Sequence, residues 1–226
     1  MKNLLLTTTI ITLILSSCIK DDSLFDTVDP VIRITNPIDT IEINTNFQFE
    51  FNYLNNVGQP ETVTAVWSSS DPSIINISNT GLAEALAEGS ATLRVTYNDG
   101  ENDITDELTI VVGNTTVVTA PTDRTGTIAP TSFYELEGDF TLSANGADLV
   151  LAFDENYKAS SALPGLYVYL SNNPNSVAGA YEIGKVEVFS GAHQYDIPNT
   201  MLQEYSHLVY FCKPFNVKVG DGLLSN

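Results

Sequence analysis

Few side chains in this sequence are suited to covalent or proton-transfer chemistry. The chain holds two cysteines, Cys18 and Cys212, and two histidines, His193 and His207. A thiol reacts as its thiolate, so a working cysteine needs exposure and a nearby cation to lower its pKa. Cys212 ends a strand-like run over 205–212, and on a regular strand Lys213 and His207 point by parity to the opposite face. His193, from another strand, is then the candidate neighbour. Against this stands a second reading, in which Cys212 between Phe211 and Phe215 is a small buried hydrophobe, as free cysteines commonly are. A single thiol can cycle through a mixed disulfide or a sulfenic acid, but it cannot hold two electrons as an internal disulfide.

Carboxylates are plentiful but poorly placed for catalysis. Glu135, Glu137 and Asp139 alternate along one strand face, and Asp154-Glu155 fall at a turn. Glycoside hydrolysis needs two carboxyls flanking a cleft at ~5–9.5 Å, whereas alternating acids on a strand make a wetted face. Asn98-Asp99-Gly100-Glu101-Asn102-Asp103 carries oxygen ligands of the kind calcium takes. It lacks the spacing of a twelve-residue calcium loop, and Asp-Gly between strands is a hairpin signal. His193 and Cys212 alone are too few ligands to define a metal site. No Ser-His-Asp order, phosphate-cradling glycine loop or two-histidine metal motif is present, and the sequence names no cofactor.

Composition narrows the partners. The 226 residues include 9 Lys+Arg against 28 Asp+Glu, a net charge of -19 that argues against a nucleic-acid partner, because phosphate binding needs a basic stripe. With 43% hydrophobic residues, the chain has enough apolar surface to offset the entropy of folding.

At the N-terminus Lys2 precedes an apolar run over 4–15 that leads into Leu15-Ser16-Ser17-Cys18. The run is shorter than the ~18–20 residues of a membrane span, so it reads as an export signal. Leu-Ser-Ser-Cys resembles the lipobox of bacterial lipoproteins. The resemblance implies a signal peptide over 1–17, a diacylglyceryl group on Cys18, and a tether over 18–29 holding the protein to a membrane. Ile19-Lys20-Asp21-Asp22-Ser23 resembles the acidic surface-export signal of lipoproteins in Bacteroidota-like bacteria, which implies the outer membrane and surface exposure. Asp22-Ser23-Leu24, Asp26-Thr27-Val28 and Asp39-Thr40-Ile41 resemble the O-glycosylation sequons of that group.

The elements that position these residues read as strands throughout, with period-two alternation and no sustained helical period. Phe47, Phe49, Phe51 and Tyr53 alternate with polar residues, which predicts one half-buried strand. Further strands are expected at 31–35, 62–67, 74–77, 91–97 and 108–112, a sandwich spanning about 30–113. Trp67-Ser68-Ser69-Ser70-Asp71-Pro72-Ser73-Ile74, Gly81 and Ala87-Glu88-Gly89-Ser90-Ala91-Thr92-Leu93 resemble a bacterial Ig-like group 2 domain, which implies a spacer or adhesive module without catalytic residues. Trp67 is expected as the core anchor of that sandwich rather than a ligand-stacking ring.

Residues 114–123, small and polar and closed by Pro121, read as a linker. Beyond it, strands are expected at 134–143, 147–153, 166–171, 181–189, 194–197, 205–212 and 215–219, an antiparallel sandwich or barrel over 124–226. Leu136-Glu137-Gly138-Asp139-Phe140, Leu166-Tyr167-Val168-Tyr169-Leu170-Ser171 and Phe211-Cys212-Lys213-Pro214-Phe215-Asn216-Val217 resemble the DM-thirteen domain, the electron-transfer DM domain of Skeletor-type proteins. That resemblance implies electron transfer at a cell surface through a characteristic cysteine, which falls on Cys212. Phe211 stands where tryptophan often precedes that cysteine.

Two functions follow. One is a lipid-anchored redox accessory, with Cys212 as its thiol, His193 as neighbour and a redox partner protein. The other is a non-catalytic adhesion or ligand-binding module. Exposure of the Cys212 sulfur separates them, because a buried thiol cannot exchange with a partner.

Overall fold

The computed structural model describes residues 26–225. The signal-peptide, Cys18 and Asp22-Ser23-Leu24 expectations lie outside the described residues. Within them the fold is all-β and built on two separate apolar cores.

The N-terminal sandwich comprises β1 (Val31–Ile34), β2 (Ile38–Glu42), β3 (Asn46–Gln48), β4 (Phe51–Leu54), β5 (Val66–Ser69), β6 (Ile75–Ile77), β7 (Leu82–Ala85), β8 (Gly89–Asn98), β9 (Asp103–Gly113) and β10 (Val117–Val118). Its largest sheet runs β10-β2-β9-β8-β5, with β2 parallel to β9, and β1-β4 and β3-β7-β6 pack against it. Alternation along β8 buries Ala91, Leu93 and Val95 on one face.

The aromatic run Phe47 to Tyr53 does turn all four rings toward this core. It is two strands, however, not one. β3 pairs with β7 and β4 with β1, and the chain changes sheets at Phe49-Glu50. The switch is possible because those two backbone N–H groups find other acceptors: Phe49 N donates to Gly81 O at 2.9 Å and Glu50 N to Asn36 Oδ1 at 2.8 Å. Trp67 is buried beside Phe49 and Phe51, ring centroids 6.0 and 6.2 Å away.

The stretch expected as a linker contributes β10, an edge strand on β2. Thr119 adds a hydrogen bond from Oγ1 to Asp39 Oδ1 at 2.9 Å.

The C-terminal unit comprises β11 (Arg124–Pro130), β12 (Leu136–Asn145), β13 (Asp148–Phe153), β14 (Lys158–Ala159), β15 (Leu166–Ser171), β16 (Tyr181–Lys185), β17 (His193–Ile197), β18 (His207–Cys212) and β19 (Val217–Leu223). One antiparallel sheet runs β16-β15-β18-β19-β11-β12-β13-β17, with β14 on β12, and curls into a nearly closed barrel. Backbone bonds from Ala159 N to Phe189 O and from Gly191 N to Tyr157 O fasten the segment between β16 and β17 across the gap. Glycine makes this closure feasible. A Cβ on Gly222 would come within 2.6 Å of the Phe140 ring, and one on Gly126 within 2.5 Å of the same ring. The two glycines therefore leave the space that Phe140, buried at the barrel centre, occupies.

The final strand expected at 215–219 is displaced. A 3₁₀ turn, Lys213–Phe215, comes first and is closed by Asn216 in the left-handed region at φ 53°. β19 then continues through Gly220 and Gly222, residues that carry no apolar pattern to be read.

Candidate functional site

Cys212 is the last residue of β18, held between Leu166 of β15 and Val217 of β19. Its side chain belongs to the barrel core and is 1% exposed. Lys213 is committed elsewhere: its Nζ lies 2.8 Å from Glu182 Oε2 and 4.7 Å from the Tyr167 ring centroid. That ion pair holds the Glu182 carboxyl below, and the Lys213 ammonium above, its ordinary range. His207 starts the same strand five residues earlier, its Nδ1 2.8 Å from Ser206 Oγ. Burial pushes its pKa down.

His193 does not meet Cys212. Its ring stacks on Phe153 at 4.7 Å and meets the edge of Tyr157 at 4.6 Å. The contacts that lead from it toward the thiol run through Tyr157 and then Tyr210, whose ring centroids are 6.4 Å apart. Tyr210 precedes Cys212 by two residues, so the two share the inner face of β18. His193 Nδ1 lies 2.9 Å from Gly191 O and, because a carbonyl oxygen only accepts, is the donor in that bond. Sequence reasoning missed the two phenols. They look like ordinary strand aromatics, but both are fully buried and their hydroxyls interact with each other, while His193 Nε2 has no hydrogen-bond partner among the described residues. Burial pushes Tyr157 up to about 12 and Tyr210 well above its ordinary value. These are neutral groups at physiological pH, with no thiolate-stabilising cation among their contacts.

The other candidates are occupied by structural duties. Glu137 pairs with Lys158, and Asp139 accepts from Thr127 Oγ1 at 2.6 Å and Asn156 Nδ2 at 2.8 Å, which lowers its pKa. In the β8–β9 hairpin, Asp99 Oδ1 accepts from the N–H groups of Glu101 at 2.8 Å and Asn102 at 2.7 Å, while Asn98 Nδ2 donates to Asp103 Oδ1 at 2.7 Å. Among the described residues no three His, Cys, Asp or Glu side chains converge as metal ligands.

What the larger surface openings share is position: they lie where the sandwich meets the barrel. Asn173 Nδ2 reaches across to Val57 O at 3.2 Å and to Asp26 O. Gly58, at φ 76°, stands so near that a Cβ there would be 2.9 Å from the Asn172 backbone. Arg33 Nη1 donates to Gln203 O at 3.1 Å. A cleft of about 530 Å³ opens beside these contacts, between Thr27–Arg33 on one side and Asn172, Ser206 and His207 on the other.

A family model matches residues 48–108, the stretch that holds the sheet-switching Phe49 and the central Trp67. Those residues are a bacterial Ig-like domain of group 2. An Ig-like domain of this kind points to an extracellular or surface protein. An uncharacterised protein of Clostridium acetobutylicum is 36% identical over 106 residues, which is 46% of this chain and 24% of that protein. The chain thus spans about a quarter of the relative's length. No helix among the described residues is long and apolar enough to cross a membrane.

Proposed function

We propose that this is an exported, lipid-anchored surface module without redox turnover, in which the Ig-like domain is the spacer and the barrel is the displayed unit. The observation that carries the reading is the 1% exposure of Cys212. A thiol must reach a partner sulfur or an oxidant to exchange electrons, and this one sits in an apolar core with its adjacent lysine bound to Glu182. The DM-thirteen resemblance of 124–226 is then a likeness of fold and sequence, with the cysteine kept for packing. The lipobox resemblance of Leu15-Ser16-Ser17-Cys18 and the acidic residues behind it support a lipid anchor on the outer membrane, with the module facing outward.

The test is a comparison of the wild-type protein with Cys212→Ala in thiol oxidation and in reduction of ferricyanide and a soluble quinone. We expect equal rates at background level. A rate that Cys212→Ala abolishes would restore the redox accessory as the function.

A further inference from the structure

The junction between sandwich and barrel gathers positive charge in a chain that is strongly acidic overall. Among the described cations, Arg94, Lys158, Lys213 and Lys218 each sit against a carboxylate. Arg33, Arg124 and Lys185 form no ion pair; the two arginines lie together at the junction and spend donors on carbonyls, whereas Lys185 stands apart on β16. Arg33 binds Gln203 O, and Arg124 binds the carbonyls of Leu202, Tyr205 and Leu224. His207 lies in the field of both, and Lys218 adds to it. The opposing charge on His207 comes from Asp221, which is itself paired with Lys218 at 2.6 Å. On the sandwich side, Asp106 acts on Arg33 from a distance, its Oδ2 accepting the Ile34 N–H at 2.8 Å.

Arg33 and His207 both line the 530 Å³ cleft, a volume within the ~300–1,000 Å³ range of small-molecule sites, which favour such boundaries between units. The remaining polar lining is hydroxyl, amide and one carboxylate: Thr27, Ser206, Asn172 and Asp29. Guanidinium and imidazole in the lining suit an oxyanion, and the other groups suit hydroxyls.

We propose that this cleft binds a small hydroxylated molecule carrying a carboxylate, of the uronic-acid class, with the carboxylate toward Arg33 and His207 and the hydroxyls toward Asp29 and Thr27. The inference goes beyond the surface-module reading and stands or falls separately from it. Net charge supports selectivity as well. A chain at -19 repels anions over most of its surface, so an anionic ligand is favoured where two arginines without ion pairs and a histidine lie together. Protonation of His207 adds to that field, so binding tightens as pH falls, until the ligand carboxylate itself protonates.

The experiment is a titration of the full exported chain with D-glucuronate, and with D-glucose as the uncharged counterpart, by calorimetry and by NMR at pH 7.5 and 5.5. We expect saturable glucuronate binding that tightens at the lower pH, and none by glucose at the same concentration. Arg33→Gln weakens binding about tenfold or more, the scale of a charge-assisted pair. His207→Gln removes the tightening between pH 7.5 and pH 5.5, and Lys185→Gln, remote from the cleft, changes neither the affinity nor its pH dependence. Equal binding of glucose, no glucuronate binding, or undiminished affinity in Arg33→Gln would overturn the proposal. If Arg33→Gln does not melt like wild type, His207→Gln and the NMR shifts decide: a pH profile unchanged by His207→Gln, or shifts away from Thr27 and Ser206, overturns it equally.

Discussion

Alkylation of Cys212 in the native protein tests the packing on which the functional reading rests. The sulfur is enclosed by the barrel core, and the backbone on either side is paired to Leu166 and Val217, so a reagent reaches it through opening of β18 from one neighbour or both. If access requires the cooperative opening of the barrel, the rate falls by the opening equilibrium. An opening free energy of about 5 kcal/mol, the lower end for a domain, slows alkylation roughly 5,000-fold relative to the unfolded chain. Opening of the Lys213–Phe215 turn by itself, at about 2 kcal/mol, would slow it only about 30-fold. The core position of the side chain selects the larger value. The assay follows maleimide incorporation by mass spectrometry against denaturant concentration, with Cys212→Ala as the blank. We expect protection above about 1,000-fold that is lost with the midpoint of global unfolding. A native rate within tenfold of the unfolded rate, flat in denaturant, refutes the argument and reopens thiol exchange.

Gly222→Ala drives a Cβ into the Phe140 ring at 2.6 Å and toward Thr127 O at 2.9 Å. We expect a loss of about 1–3 kcal/mol, read as a melting temperature lower by at least about 4 °C, with partial recovery in Gly222→Ala/Phe140→Leu. His207 has a folded pKa lowered chiefly by burial, so its contribution to stability is present above the unfolded value near 6.5 and is lost as pH falls through the window toward the folded value. Denaturant titrations at pH 7.5 and 5.5 should therefore show a smaller loss on acidification in His207→Gln than in wild type. A fragment of 124–226 should fold alone, because its core draws no residue from the sandwich, and circular dichroism with cooperative melting checks it.

Strand content and the aromatic core were legible because period two is a strong signal where one face is buried. The alternation from Phe47 to Tyr53 carries it and β13 shows it in burial, whereas β15 and β18, buried on both faces, read as strands because they are short apolar runs bounded by turn residues. The sheet switch at Phe49-Glu50 left no trace, since the same alternation serves either sheet and the deciding acceptors, Gly81 O and Asn36 Oδ1, are distant in sequence. β11 and the later part of β19 were hidden for a different reason. Their glycines do not supply apolar surface but remove side chains from the path of Phe140 and Leu136, so the pattern that marks a strand is absent where the barrel closes.

The candidate site divides in the same way. Cys212 was conspicuous as a residue type, yet its burial is a property of β15 and β19, which flank it from forty-six residues upstream and five downstream. Arg33 and Arg124 drew no attention as two of nine scattered cations, and nothing local distinguishes them from Arg94. The difference arises in three dimensions: Arg94 finds Glu107 on the neighbouring strand, whereas both junction arginines meet carbonyls of the segment between β17 and β18. A guanidinium without a carboxylate keeps most of its charge unneutralised, and burial makes that field reach further than it would in water. In a chain where acids outnumber bases threefold, leaving two arginines unpaired is costly unless something else uses the charge, and the junction that holds them is also where the cleft opens.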